Sequence, residues 1–205
     1  MPKTNSLGIL GGTFDPIHYG HLIAAEYARD EFNLERIYIV PAAAPPHKDL
    51  AVITDEKHRV AMVSLAIADN PDLELSTLEL DRGGISYTVD TVSCFKERYR
   101  DSEINLIIGA DCLSTLNTWK DINRLVYLVD RFIVVTRPGY EKSQPVMELL
   151  PENIWDRMEF IQIPGFDLSS SEIRERVARG RAIRYLVPEP VADYIYDHGL
   201  YARKE

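Results

Sequence analysis

A doubly wound α/β fold with a parallel sheet is what this chain predicts, and three observations point to it. Apolar runs recur at residues 7–10, 36–40, 104–108 and 132–135. Segments with helical spacing separate them, so strand and helix signals alternate along the chain. The run at 104–108 is near-continuously apolar, as a strand covered on both faces of a parallel sheet has to be. The expectation is a Rossmann-like sheet followed by C-terminal helices.

Each element has its own signal. Residues 7–10 read as the first strand. Leu22, Ala25, Ala28 and Phe32 keep helical spacing and predict the first helix. Residues 36–40 are a second strand, closed by Pro41. Residues 42–53 form a proline-rich loop, long enough to act as a lid over a ligand. Thr54 is placed to cap a second helix, with Asp55 and Glu56 suited to its first turn. That helix runs to Ala68, is apolar on most sides and is expected to be well buried. Residues 73–75 read as a short strand, 88–99 as a helix and 104–108 as a central strand. Residues 121–129 are helical, 132–135 a buried strand, 139–144 a polar loop and 160–163 a last strand. Helices over 172–179 and 191–198 end the chain.

The bulk numbers narrow the function. A chain of 205 residues fits one domain, 1–205, with its C-terminal helical part from about 167. A formal charge of −9 argues against a general nucleic-acid surface, so any polyanionic ligand needs a local cluster of donors. Cys94 and Cys112, the only cysteines, match no zinc spacing and build no disulfide framework. No stretch approaches the ~20 apolar residues of a spanning helix, and the start does not read as a signal peptide. A cytoplasmic protein with no membrane partner is expected; the sequence leaves a homo-oligomer open.

The motifs gather where a parallel sheet binds ligands, at the C-terminal strand ends. Gly11-Gly12-Thr13-Phe14-Asp15-Pro16-Ile17-His18-Tyr19-Gly20-His21 joins the first strand to the first helix. Glycines admit a ligand to the backbone, and free N–H groups at a helix start favour an anion. The spacing fits neither a dinucleotide fingerprint nor a P-loop. His18 and His21 lack the i,i+4 spacing and glutamate of a helical zinc site. They suit donation to phosphate oxygens, as imidazolium if charged. Far downstream, Leu168-Ser169-Ser170-Ser171-Glu172-Ile173-Arg174 has capping-box spacing and offers N–H groups, hydroxyls and a guanidinium. Pro45-Pro46-His47-Lys48 follows the second strand, and Gly109-Ala110-Asp111, with Trp119 beyond, follows the central one. An acidic side chain at a strand end can hold ribose hydroxyls, and a tryptophan can stack on a planar ring. Thr136-Arg137 falls on the same edge, and Ser86-Tyr87-Thr88 reads as a helix cap. Cys112 reads as a buried small residue rather than a nucleophile, and His58 and His198 as packing or solvated histidines.

At this point the residues match a known pattern. Gly11 to Pro16 with His18-x-Gly20-His21 resembles the first signature of the nucleotidylyltransferase superfamily, and Ser169 to Arg174 its second, with Leu168 and Ser171 as mild departures. Pro-Pro-His-Lys, Ser-Tyr-Thr, Gly-x-Asp and Trp119 resemble the bacterial nicotinate-nucleotide adenylyltransferases, from about residue 7 to 201. The resemblance implies transfer of the adenylyl group of ATP to nicotinate mononucleotide, giving deamido-NAD and pyrophosphate in NAD biosynthesis. It implies that Gly11, Gly12, Thr13, Phe14, His18, His21, Ser169, Ser170 and Arg174 hold ATP, with His21, His18 and Arg174 at the reacting phosphates. Gly109 and Asp111 would hold the adenylate ribose. His47, Lys48, Thr88, Trp119 and Arg137 would serve the mononucleotide. Mg²⁺ is expected with ATP, held by phosphates and water rather than by protein ligands. A related enzyme acting on nicotinamide mononucleotide or phosphopantetheine, and a nucleotide-binding sensor without turnover, are the competing readings.

Overall fold

The computed structural model describes residues 5–46, 52–139, 150–165 and 167–203. Strands β1 (Asn5–Gly12), β2 (Arg36–Pro41), β3 (Leu73–Leu75), β4 (Ser102–Gly109), β5 (Arg131–Thr136) and β6 (Met158–Gln162) form one sheet in the order β3-β2-β1-β4-β5-β6. Every neighbouring pair is parallel. The helices among the described residues are α1 (Tyr19–Phe32), α2 (Glu56–Ile67), α3 (Leu78–Arg82), α4 (Thr88–Arg98), α5 (Ile122–Leu128), α6 (Ser170–Ala178) and α7 (Glu189–Asp197). Two 3₁₀ segments, Ala110–Thr118 and Glu152–Arg157, follow β4 and precede β6.

Period-two alternation divides the core. Leu7, Ile9, Tyr38, Val40, Ile104, Leu106, Ile108, Phe132 and Val134 join Val89, Val92 and Phe95 of α4 and Leu125 and Val126 of α5 in one cluster. Leu10, Ile37, Ile39, Ile107, Ile133 and Val135 join the opposite cluster. There they meet Ala24, Ala25 and Ala28 of α1, Met62 and Val63 of α2, Ile173 of α6, and Val191, Ala192 and Ile195 of α7. The C-terminal helices therefore share a core with the first strand. Strand order reverses between β1 and β4, so the crevice beyond their C-terminal ends is the switch point where such sheets bind ligands.

Several expectations shift in detail. α1 begins one turn before Leu22, at Tyr19, with His18 as its N-cap. Asp55, not Thr54, caps α2, its side chain accepting from Lys57 N–H at 3.0 Å. The Thr54 backbone is committed elsewhere, donating to Asp15 Oδ2 at 3.2 Å and accepting from Arg59 Nε at 3.0 Å. α2 is buried on one face only, through Arg59, Met62, Val63 and Ile67, while Ser64 and Leu65 face solvent. The sheet covers a single face of it, whatever its outer residues are. The last strand runs over Met158–Gln162, two residues earlier than expected at its start. α3 and the 3₁₀ segment at Ala110–Thr118 carried no recognised signal. That 3₁₀ segment is supported by short-range bonds from Ser114, Thr115 and Thr118 hydroxyls to carbonyls three residues back.

Asn105 shows how a polar residue survives in the sheet. It is fully buried on β4, yet Nδ2 donates to Ser6 Oγ at 2.9 Å and to the Leu7 carbonyl at 3.0 Å. Its Oδ1 accepts from Arg131 Nη1 at 3.0 Å. The side chain thus ties β1, β4 and β5 together, away from the ligand edge. Asn105→Ala is expected to lower stability by about 2 kcal/mol, seen as a lower urea midpoint at unchanged slope.

Candidate active site

The loop between β1 and α1 is built around a buried turn. Phe14 adopts φ 49°, in the left-handed region, and is 1% exposed. Its ring lies over Gly12, where an added Cβ would sit 2.9 Å from the ring edge. A side chain at residue 12 would therefore displace Phe14. Beside it, Gly11 has nothing within 4 Å of where a Cβ would be, so open space adjoins the end of β1. A left-handed, non-glycine residue persists only when its surroundings hold it there. Here the surroundings are specific.

Three loop carbonyls each accept from a distant side chain. Arg59 Nη1 of α2 donates to the Thr13 carbonyl at 2.9 Å. Arg174 Nη1 of α6 donates to the Asp15 carbonyl at 2.7 Å. Ser170 Oγ donates to the Pro16 carbonyl at 2.8 Å. In a trans peptide the N–H points opposite its carbonyl. Drawing the Thr13 and Pro16 carbonyls towards the helices therefore turns the Phe14 and Ile17 N–H groups the other way. Ser169 caps α6, its hydroxyl accepting from Glu172 N–H at 3.1 Å. The N-termini of α1 and α6 are thus joined through one loop.

The histidines are fixed by helix geometry. His18 is the N-cap of α1 and His21 stands at the third helical position. The His18 backbone N–H donates to His21 Nδ1 at 3.3 Å. With Nδ1 accepting, the ring proton of His21 belongs on Nε2. The two rings stack with centroids 3.7 Å apart, and Phe14 meets His21 edge-on at 5.0 Å. His18 is 5% exposed, and its buried Nδ1 has no hydrogen-bond partner. Gly20 lies against it, since a Cβ there would come within 3.0 Å of that nitrogen. Burial, and then the charge of Arg137, lower the His18 pKa to about 4. His18 is therefore a neutral group at neutral pH, and the imidazolium form is not the one it offers there.

The other expected residues fall into separate parts of the edge. Arg137, just past β5, lies near enough to His18 to shift it and pairs with Asp167 at 3.7 Å. Its charge thus joins the histidine and α6 group. Asp111 opens the 3₁₀ segment after β4, and its Oδ1 would be 2.3 Å from a Cβ on Gly109. The carboxylate is folded back over the strand end, which only glycine permits without a shift. Thr88 starts α4, and Trp119 ends the 3₁₀ segment, partly buried against the core. Lys120 links these two regions, 4.3 Å above the Tyr87 ring and 3.0 Å from Asp90. His47 and Lys48 lie outside the described residues, as does the middle of the expected lid and most of the polar loop at 139–144. The start of the lid loop is tied to the α4 approach, Ala43 N–H donating to Ser86 Oγ and Ser86 N–H to the Ala44 carbonyl, both at 2.9 Å.

Comparisons with known proteins identify the family. Residues 9–176 match the cytidylyltransferase-like family model. A probable nicotinate-nucleotide adenylyltransferase of Thermoanaerobacter sp. is 44% identical, the match covering 100% of this chain and 98% of the relative. One from Moorella thermoacetica is 45% identical over 98% of this chain and 94% of its own. The chain belongs to the nicotinate-nucleotide adenylyltransferase family. Plasmodium falciparum nicotinic acid mononucleotide adenylyltransferase complexed with APC shares the fold, with a TM-score of 0.78 at 22% identity over 96% of this chain and 97% of that one.

Two residues that hold the loop between β1 and α1 were missed by sequence reasoning. Arg59 is 2% exposed and interrupts the helical run between His58 and Val60. A lone arginine within an apolar helix face was the available signal. Tyr201, whose hydroxyl donates to Asp15 Oδ1 at 2.7 Å, had none. Cys112 is half-buried rather than buried as expected, and burial and then Asp111 push its pKa up to about 11. His58 donates to or accepts from the Tyr194 hydroxyl at 3.0 Å, and His198 stacks on Tyr194 at 4.0 Å, between α2 and α7. Among the described residues, no group of three or more His, Cys, Asp or Glu is gathered for a metal, and no helix is long and apolar enough to cross a membrane.

The His18 shift has a measurable consequence. Between its unfolded value near 6.5 and its folded value of about 4, the unfolded chain binds the extra proton. Stability due to His18 is therefore fully present above pH 6.5 and is lost as pH falls towards 4, by up to about 3 kcal/mol. His18→Gln is expected to flatten the stability profile over that window relative to the parent, measured by urea denaturation at successive pH values.

Proposed function

We propose that this protein transfers the adenylyl group of ATP to nicotinate mononucleotide, releasing pyrophosphate and giving deamido-NAD. The carrying observation is the joining of two helix N-termini through one loop, by Ser170 at 2.8 Å and Arg174 at 2.7 Å. In a chain of this family, that makes one polyanion site from two distant segments. ATP phosphates would lie along Gly11, Gly12, Thr13 and Phe14, against His18, His21, Ser169 and Arg174. Asp111 over Gly109 would take the ribose. Thr88 and Trp119 would frame the pyridine ring, with His47 and Lys48 nearby. Arg137, beside His18, is better placed for a phosphate than for the ring. We further propose NAD biosynthesis in the cytoplasm as its setting.

The chemistry needs no protein nucleophile. A phosphate oxygen of the mononucleotide bonds to the α-phosphorus of ATP as the bond to the bridging β-oxygen breaks, and pyrophosphate leaves with that electron pair. The protein has to hold the two in line and donate to the charged oxygens. His21 can do this through its Nε2–H, and Arg137 and Arg174 add charge. The donor set suits phosphate rather than a protein metal cage: Asp15, the carboxylate buried in the loop, has both oxygens engaged, by Thr54 N–H and by Tyr201. Mg²⁺ would be carried by ATP phosphates and water, where it offsets their charge.

Pyrophosphate release from ATP, measured side by side with nicotinate mononucleotide, its amide and phosphopantetheine, is expected to be fastest with the nicotinate form. Release with none of them would leave a nucleotide sensor. His21→Ala is expected to lose at least about 10²-fold in kcat while its thermal unfolding stays cooperative. Turnover near the parent rate would remove His21 from the reaction.

A further inference from the structure

The carboxylate of Asp15 is a junction that the reaction chemistry does not use. It is 3% exposed and lies at the centre of the phosphate loop. Oδ2 accepts from the Thr54 N–H at 3.2 Å, where the chain enters α2. Oδ1 accepts from the Tyr201 hydroxyl at 2.7 Å, across 186 residues of sequence. Arg59, buried on α2, is drawn towards Asp15 electrostatically and also holds the Thr13 carbonyl. Arg174 holds the Asp15 carbonyl itself. The turn that follows the helix Glu189–Asp197 is thus fastened to the loop that faces the switch point.

How Tyr201 reaches Asp15 is set by the end of α7. Gly199 takes φ 59°, its N–H bonding the Tyr196 carbonyl at 3.1 Å, and Leu200 N–H bonds the Ile195 carbonyl at 3.0 Å. That is a Schellman ending, with glycine at the left-handed position. It reverses the chain and packs Leu200 and Tyr201 against the same core cluster as α1 and α2. Met62 Sδ lies 4.0 Å from the tyrosine hydroxyl.

We propose that Tyr201 is a positioning residue for adenylyl transfer: through Asp15 it holds the loop of Thr13 to Ile17 in the shape that receives the ATP phosphates. The inference rests on the adenylyltransferase reading of that loop. Tyr201 touches no reacting atom; it acts through the Asp15 carboxylate. Tyr201 then controls ATP use rather than only adding to the core. The mononucleotide side of the crevice, at Thr88 and Trp119, is untouched by this contact.

Tyr201→Phe keeps the ring and removes the hydroxyl. The expected result is a fall of about tenfold in kcat/KM for ATP, with KM for nicotinate mononucleotide within twofold of the parent. Amide hydrogen exchange over residues 13–17 is expected to quicken about tenfold while the strands keep their protection. A role in stability alone would lower the unfolding temperature and leave KM for ATP at the parent value, and that result overturns the proposal. Unchanged exchange in the loop overturns it too. If the parent releases no pyrophosphate with any acceptor, the adenylyltransferase reading fails by itself. ATP affinity measured by calorimetry then decides for Tyr201: about tenfold weaker in the variant supports it, and equal affinity overturns it.

Discussion

The loop between the first strand and the first helix leaves the sheet with carbonyls that its own backbone does not satisfy, and the surrounding structure answers that need. Buried backbone polar groups are costly when unpaired. Thr13, Asp15 and Pro16 each find a donor on another element, from Arg59, Arg174 and Ser170. Two helices that begin about 40 and about 150 residues later in the chain are thereby pinned to one turn. The same bonds turn N–H groups of the loop away from those helices. On the proposed function, fold stability and ligand reception share one set of contacts.

Burial also decides the electrical character of the site. The charge budget of the chain is acidic, at −9, so the phosphate edge cannot rely on a general positive field. Desolvation keeps His18 neutral, with Arg137 adding to the effect. His21 is turned by the His18 backbone N–H so that its second nitrogen carries the proton. Positive charge comes from the guanidinium groups of Arg137 and Arg174.

Much of the architecture was legible because two periodicities differ so plainly. Strands at β1, β2, β4 and β5 and helices α1, α2, α4 and α5 stand where apolar spacing placed them, within a few residues. The misses have physical causes. Ser114, Thr115 and Thr118 read as loop residues, yet their hydroxyls bond back three residues and support a 3₁₀ segment. Thr54 has the right chemistry for a cap, but its backbone is recruited by Asp15 and Arg59, and Asp55 takes its place. Helix α2 looked apolar on most sides, but the sheet and α7 leave its outer face uncovered, with Ser64 and Leu65 exposed.

By itself the sequence determined the strand and helix order, the two glycine- and serine-bearing helix starts, and the family to which they belong. These are local features, set by spacing and side-chain type within a few turns of chain. The tertiary structure decided which of those groups meet. It placed Arg59 and Tyr201 around Asp15, and it moved the Arg137 charge beside His18. It also made His18 neutral. None of this could be read along the chain, because burial and contact across as many as 186 residues are properties of packing, not of spacing.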